Sequence, residues 1–207
     1  MADKNMILSA DAEEKLLKPI DEYVGKIQAQ IDELRVDGSD KVRSLKNHIA
    51  IAKEDKNLSK EEKDSIIAKD KAALEKAKAV EAANKDKVAK LIADAEGYLK
   101  EHYDSEYYSK VVASCETEKA AENESYERVK ATLKTEHEQT LAKLSDPEEI
   151  KDEKYVYKNK LFDAQMTHES RLQEIKDRKH DAFSHKYHLI DLLRMSKYTF
   201  MQSRAQK

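Results

Sequence analysis

Apolar residues recur every three and four positions along most of this chain. That spacing lines one side of an α-helix and, when sustained, the contact between helices lying side by side. The clearest run is Leu17, Ile20, Val24, Ile27, Ile31 and Leu34. Ser9 to Asp11 mark its start, Asp11 and Glu14 having capping-box spacing, and Pro19 reads as a first-turn residue or a mild kink. Asp37-Gly38-Ser39-Asp40 is expected to stop this helix and cap the next, because Gly38 tolerates the left-handed conformation that follows a helix end. The second helix carries Val42, Leu45, Ile49 and Ala52 on one face and ends near Asn57. Ser59-Lys60-Glu61-Glu62 is a capping box for a third.

The third helix is Ala-rich. Ile66, Ala73, Ala77 and Val80 form a shallow stripe, interrupted by a polar turn at Lys69-Asp70, and the pattern strengthens at Val88, Leu91, Ala95 and Tyr98. From Ser59 to Leu144 there is no proline, and Gly97 is the only glycine. One internal glycine costs about 1 kcal/mol relative to alanine, too little to break a packed helix. Tyr103, Tyr107, Val111 and Cys115 are spaced by fours, a shift in seam phase rather than a stop. The spacing predicts one long helix with a kink near 97–105; a fresh start capped at Asp104-Ser105 is the alternative. The seam resumes at Tyr126, Val129, Leu133, His137, Leu141 and Leu144. Ser145-Asp146-Pro147-Glu148-Glu149 then supplies a capping Asp, a first-turn Pro and two acids at a helix N-terminus. The last helix is expected from Pro147 to about Ser203, its seam including Ile150, Tyr157, Leu161, Ala164, Leu172, Ile175, Ala182, Ile190 and Leu193.

So short a connection favours antiparallel packing of its flanking helices. The fold class that follows is all-α: an elongated antiparallel coiled-coil hairpin of long helices, with a small helical bundle near one end. Its parts are an N-terminal helical hairpin (1–58), a long coiled-coil helix (59–145) and a C-terminal return helix (147–204) with a basic amphipathic end. No repeat of fixed period marks a solenoid.

Composition narrows this picture. Of 207 residues, 39% are charged and 6% aromatic, with no Trp, three Gly and two Pro. So much charge leaves too little apolar surface for a thick core and suits a thin seam along long helices. Disordered chains share that composition, but here the formal net charge is only −3 and the apolar residues are periodic. A single cysteine, Cys115, excludes an intramolecular disulfide and a multi-cysteine metal site, and fits a reducing compartment. The only apolar run in the first residues is Met6-Ile7-Leu8, too short for a signal peptide. No stretch approaches the roughly 20 apolar residues of a membrane span. A cytoplasmic protein is expected.

Catalytic machinery is hard to find. Gly25, Gly38 and Gly97 are too far apart for a phosphate-cradling loop, and Gly38-Ser39-Asp40 reads as a turn, not a nucleophile elbow. Cys115 has Lys119 one turn away, but one Lys on so Lys-rich a helix does not mark an activated thiol, and a buried, inert one is expected. The densest set of metal-ligating side chains is Asp177, His180, Asp181, Ser184, His185, His188 and Asp191. Spacings of three and four bring Asp181, His185 and His188 within reach of one face, where a Zn²⁺ would find three ligands. A carboxylate-bridged diiron site is ruled out because no Glu precedes a His by three residues. The ordinary reading of the cluster is a polar stripe opposite Phe183, Tyr187 and Ile190, with a pH-sensitive His surface as a variant. No metal and no cofactor is expected.

Residues 171–207 hold nine Lys or Arg against four acids. Interleaved with that charge are Phe183, Tyr187, Leu189, Ile190, Leu192, Leu193, Met195, Tyr198, Phe200 and Met201, too many for one narrow seam. Leu189, Ile190, Leu192 and Leu193 alone span roughly 160° of the helix, so this end is expected to be contacted from more than one side. Burial of this face in a bundle with the N-terminal helices is its ordinary reading. The competing reading is docking on another protein or self-association, with Phe183, Tyr187, Ile190, Leu193, Arg194, Tyr198, Phe200 and Met201 as the partner-binding residues. An anionic membrane surface is the alternative partner of such a basic amphipathic helix. Nucleic acid is the least expected, since the chain is acidic overall and no recognition motif frames its basic residues. The function expected is that of a non-catalytic coiled-coil scaffold or adaptor that docks on a partner or larger assembly through its C-terminal helix.

Overall fold

The helix expected from Ser9 onward begins there. In the computed structural model, which describes residues 7–205, α1 (Ala10–Arg35) opens with the Ser9 carbonyl and hydroxyl accepting from Ala12 N and the carbonyl also from Glu13 N. Residues 1–6 and 206–207, which include most of the stretch read for a leader and Lys207 of the basic count, lie outside the described residues. Pro19 sits inside α1 rather than in its first turn. The α1 seam is as spaced: Ile20, Val24, Ile27 and Ile31 are buried, and Leu17 and Leu34 half-buried.

Asp37-Gly38-Ser39-Asp40 does not stop the helix. Val36–Asp40 forms a π-helical turn that leads directly into α2 (Lys41–Glu54), and no glycine of the described residues has a positive φ. Gly38 is needed for space instead. A Cβ there would meet Glu81 Cα at 3.2 Å and Asn84 Nδ2 at 3.3 Å. Both neighbours lie on α3 (Lys60–Tyr98), which opens at the Ser59–Glu62 capping box with both reciprocal bonds formed. We expect Gly38→Val to destabilise the protein by about 1–3 kcal/mol through overpacking, although it removes a glycine from helical backbone. A urea titration checks this, and an unchanged midpoint would show that the two helices have room to spare.

Along α3 the buried positions are Asp70, Leu74, Ala77, Asn84, Val88, Ile92 and Ala95. Two of these are polar and satisfied across the helix contact. Asp70 Oδ2 lies 2.6 Å from His48 Nδ1, and Asn84 Nδ2 donates to Leu34 O at 2.9 Å. The seam therefore passes through Asp70 and leaves Val80 exposed. Val42 and Ile49 of α2 form a small core with Leu74 and Ala77.

Helical backbone is continuous from Lys60 to Leu141, through α3, a π-helical stretch at Leu99–Tyr108 and α4 (Ser109–Leu141). The four-residue spacing explains the π stretch. Ala95, Leu99, Tyr103, Tyr107, Val111 and Cys115 are all buried. On an α-helix each step of four overshoots a turn by about 40°, so five such steps would carry the seam about 200° round the axis. The wider turns of i→i+5 bonding absorb that drift. The return helix α5 (Pro147–Ala205) begins where expected, with Glu148 N donating to Asp146 Oδ1 at 2.7 Å and Pro147 as its first residue.

All described elements are helical, and none is long and apolar enough to cross a membrane. The chain divides into two compact units. The first joins residues up to Glu13 with Glu106–Ser184 and is an antiparallel hairpin of α4 and the first part of α5. Its seam is shallow: between Glu116 and Asp181 no residue is fully buried, and Val129, at a seam spacing, is exposed. The second joins Glu14–Ser105 with residues from His185 onward and is a bundle of α1, α2, α3, most of the long π stretch and the end of α5.

Candidate interaction surface

The last turns of α5 present two distinct sides. Leu189, Leu193 and Phe200 are buried, Phe200 completely. Within this second unit Gln28 Nε2 of α1 donates to Ser196 Oγ at 3.4 Å, Asp21 meets His185 Nε2 at 2.8 Å, and Lys186 Nζ donates to Asp104 at 2.7 Å. These bonds fix one side of α5 on the bundle. At 3.6 residues per turn, Tyr187, Ile190, Arg194, Tyr198 and Met201 fall on a stripe centred roughly 120° away. Tyr187, Arg194, Tyr198 and Met201 are exposed and Ile190 is half-buried. Phe183, in the first unit, is exposed, with Tyr108 at a ring distance of 6.2 Å. Of the eight residues singled out by sequence, the structure thus places Leu193 and Phe200 in the bundle, five others on one outward stripe of the second unit, and Phe183 on the surface of the first.

The His-rich stretch is divided in another way. His185 pairs with Asp21 and lies beside the buried Tyr103, ring centroids 6.2 Å apart, while His188 is 6.1 Å from His185, ring to ring. His180 Nε2 lies 3.4 Å from Ser184 Oγ. Among the described residues no three His, Cys, Asp or Glu side chains are grouped to hold a metal ion.

Sequence reasoning missed a polar hub in the first unit. Arg178 binds Glu118, and its Nη2 also donates to Ser114 Oγ at 3.1 Å and to Cys115 Sγ at 3.5 Å. Its Nε lies 3.3 Å from Glu13 Oε1. Neither atom of that pair has an aligned hydrogen bond, so the contact is ionic rather than directional. Ser114 Oγ in turn accepts from Leu8 N at 2.8 Å, tying the residues before α1 to the hairpin. Burial pushes the Glu13 carboxyl above its ordinary value, against the pull of Arg178. Burial also pushes the Cys115 thiol up, which is the opposite of what a nucleophile needs. Burial works against the charge of Arg178, but its hydrogen bond to Glu118 and its other anionic neighbours outweigh that and hold its pKa above the usual value.

Nearer the hairpin turn, two reciprocal clasps bridge α4 and α5. His137 lies 2.9 Å from Glu153 and stacks on Tyr157, ring centroids 4.1 Å apart. His168 lies 3.0 Å from Glu122 and stacks on Tyr126 at 4.2 Å. Glu122, Tyr126 and His137 correspond to Glu153, Tyr157 and His168 at one constant offset along the chain. That offset was the available signal: Glu, then Tyr four residues on, then His eleven further, occurs once on each helix. Each histidine enters between an i,i+4 Glu–Tyr pair of the opposite helix, which sets the hairpin register.

Comparison with known proteins adds one match. A family model described as the ABC transporter permease MglC, N-terminal domain, matches residues 10–204. No curated protein and no solved structure matches the chain.

Proposed function

Because the chain belongs to the family of N-terminal domains of the ABC transporter permease MglC, we propose that it is a non-catalytic helical module of an ABC transport system. It docks onto a protein of that system through the outward stripe of α5. The observation that carries this reading is the two-sidedness of α5. Leu189, Leu193 and Phe200 anchor the helix, while Tyr187, Tyr198 and Met201 remain exposed on the other side at helical spacing. Aromatic residues, Met and Arg are the types that dominate the centres of protein interfaces, and Tyr187, Arg194, Tyr198 and Met201 are all of these types. Without catalytic motifs in the sequence, the binding surface is the feature that remains to serve a function. On the same reading the module works on the cytoplasmic side, which suits a single cysteine that forms no disulfide.

Site-specific photocrosslinking in the native source tests this. A photoreactive residue at Tyr198 is expected to capture a transporter subunit, whereas the same residue at the exposed Ile51 of α2 is not. Equal capture from both positions, or none from Tyr198, would defeat the proposal. So would salt-sensitive binding to anionic vesicles that is lost in Tyr198→Asp, which would assign the stripe to a membrane surface.

A further inference from the structure

A second exposed stripe, independent of the first, lies on the outer side of the hairpin. Tyr155, Phe162 and Met166 of α5 are 67%, 60% and 50% exposed. With Asn159 they fall within about 60° of one another on the helix, directly opposite Tyr157, Leu161 and Ala164, the seam of this hairpin. Three large apolar side chains aligned along a surface helix mark a contact surface rather than scattered exposure. The hairpin beneath has no fully buried residue from Glu116 to Asp181, so a further helical layer would thicken the shallowest part of the fold.

We propose that this stripe pairs with the same stripe of a second copy of the chain, the two α5 helices lying parallel and in register. In heptad terms Tyr155 and Phe162 occupy d positions, and Asn159 and Met166 occupy a positions. Parallel pairing stacks each on its own counterpart, and an Asn at a single a position is the residue that fixes register in such pairs. Charge selects the same partner. Lys158 falls at g and Asp163 at the following e, so each Lys158 meets Asp163 of the other copy, giving two ion pairs across one contact. Beyond the stripe Asp152 and Glu169 would each face its own copy, and like charges end the contact there. An anionic lipid surface fits poorly beside Asp152, Asp163 and Glu169. The contact is short, so association is weak and dependent on concentration.

Sedimentation velocity of the full chain over a range of concentrations, with cysteine crosslinking, tests the proposal. The chain is expected to move from monomer toward dimer as concentration rises, and Phe162→Glu to remain monomeric with unchanged helicity. Lys158→Asp is expected to weaken the dimer by about three- to tenfold, and adding Asp163→Lys to restore it. Tyr155→Cys and Phe162→Cys should each form an interchain disulfide with itself on mild oxidation, whereas Lys160→Cys, off the stripe, should not. A chain that stays monomeric throughout overturns the proposal. It is equally overturned if Tyr155→Cys crosslinks to Met166→Cys in preference to itself, which would mean antiparallel pairing. The same holds if another protein or anionic vesicles cover the stripe while the chain remains a monomer.

Discussion

Phe200→Ala is expected to lower the free energy of unfolding by about 3–5 kcal/mol, the cost of emptying a fully buried aromatic site. Tyr198→Ala, two residues away, should change it by no more than about 0.5 kcal/mol. The contrast follows from geometry: Phe200 is completely buried, whereas Tyr198 is 57% exposed. Two residues on one helix turn about 200° apart, so a pair this close samples opposite sides. Chemical denaturation of both variants checks the expectation. Equal effects would mean that α5 is not seated on the bundle by one face. For binding, the order reverses: Tyr198→Ala should weaken docking in a protein of undiminished stability.

The second large effect is expected at Arg178. Arg178→Ala leaves Glu13 and Glu118 facing each other without their cation. Removing one partner of a buried ion pair costs about 3–5 kcal/mol; the Arg178 side chain is 31% exposed, and solvent screening reduces the expected loss to about 2–3 kcal/mol. The pH dependence has a definite sign. Burial raises the Glu13 pKa above its ordinary 4.5, so the folded state holds this proton more tightly than the unfolded state. Its contribution to stability is therefore greatest below 4.5 and is lost as pH rises through the folded value. Arg178 opposes the shift, so removing it should steepen that loss: the cost of Arg178→Ala should grow between about pH 4 and pH 7, and Glu13→Gln should flatten the profile. Urea midpoints at several pH values measure this, and a cost independent of pH would show that the carboxylates are not what Arg178 stabilises.

Much of the fold was legible because apolar spacing is a direct record of helix contacts. The α1 seam, the Ser59–Glu62 and Asp146–Pro147 starts and the unbroken helix through Gly97 all follow from it. Misreadings arose where another force decided. Asp70 and Asn84 occupy seam positions because each has a hydrogen-bond partner on the facing helix, which no one-dimensional pattern reveals, and Val80, apolar and at helical spacing, is exposed. The Asp37–Asp40 sequence points to backbone freedom at Gly38, yet what the position needs is the absence of a Cβ where α3 passes closely. The four-spaced run from Tyr103 to Cys115 signals a change of phase, and π-helical turns are how the backbone accommodates it.

The width of the apolar face at the end of α5 implies contact from more than one side, but not which of the candidate docking residues belongs to which side. Leu193 and Phe200 have the same apolar chemistry as Tyr198 and Met201, and only their burial separates structural from exposed positions. The stripe at Tyr155, Phe162 and Met166 was missed because three apolar residues among charges do not stand out until their exposure is known. The Arg178 hub joins residues far apart in sequence, from Glu13 to Arg178, and has no local signature.

We propose that the outward stripe of α5 contacts a transporter protein while another side of the helix holds the bundle together. Oxidative footprinting read by mass spectrometry tests it most directly, comparing the purified chain with the same chain in native membranes. Tyr198 and Met201 should lose reactivity in the membranes, while Ile51 of α2 stays equally reactive in both. Equal labelling of Tyr198 and Met201 in the two preparations would mean that nothing covers the stripe.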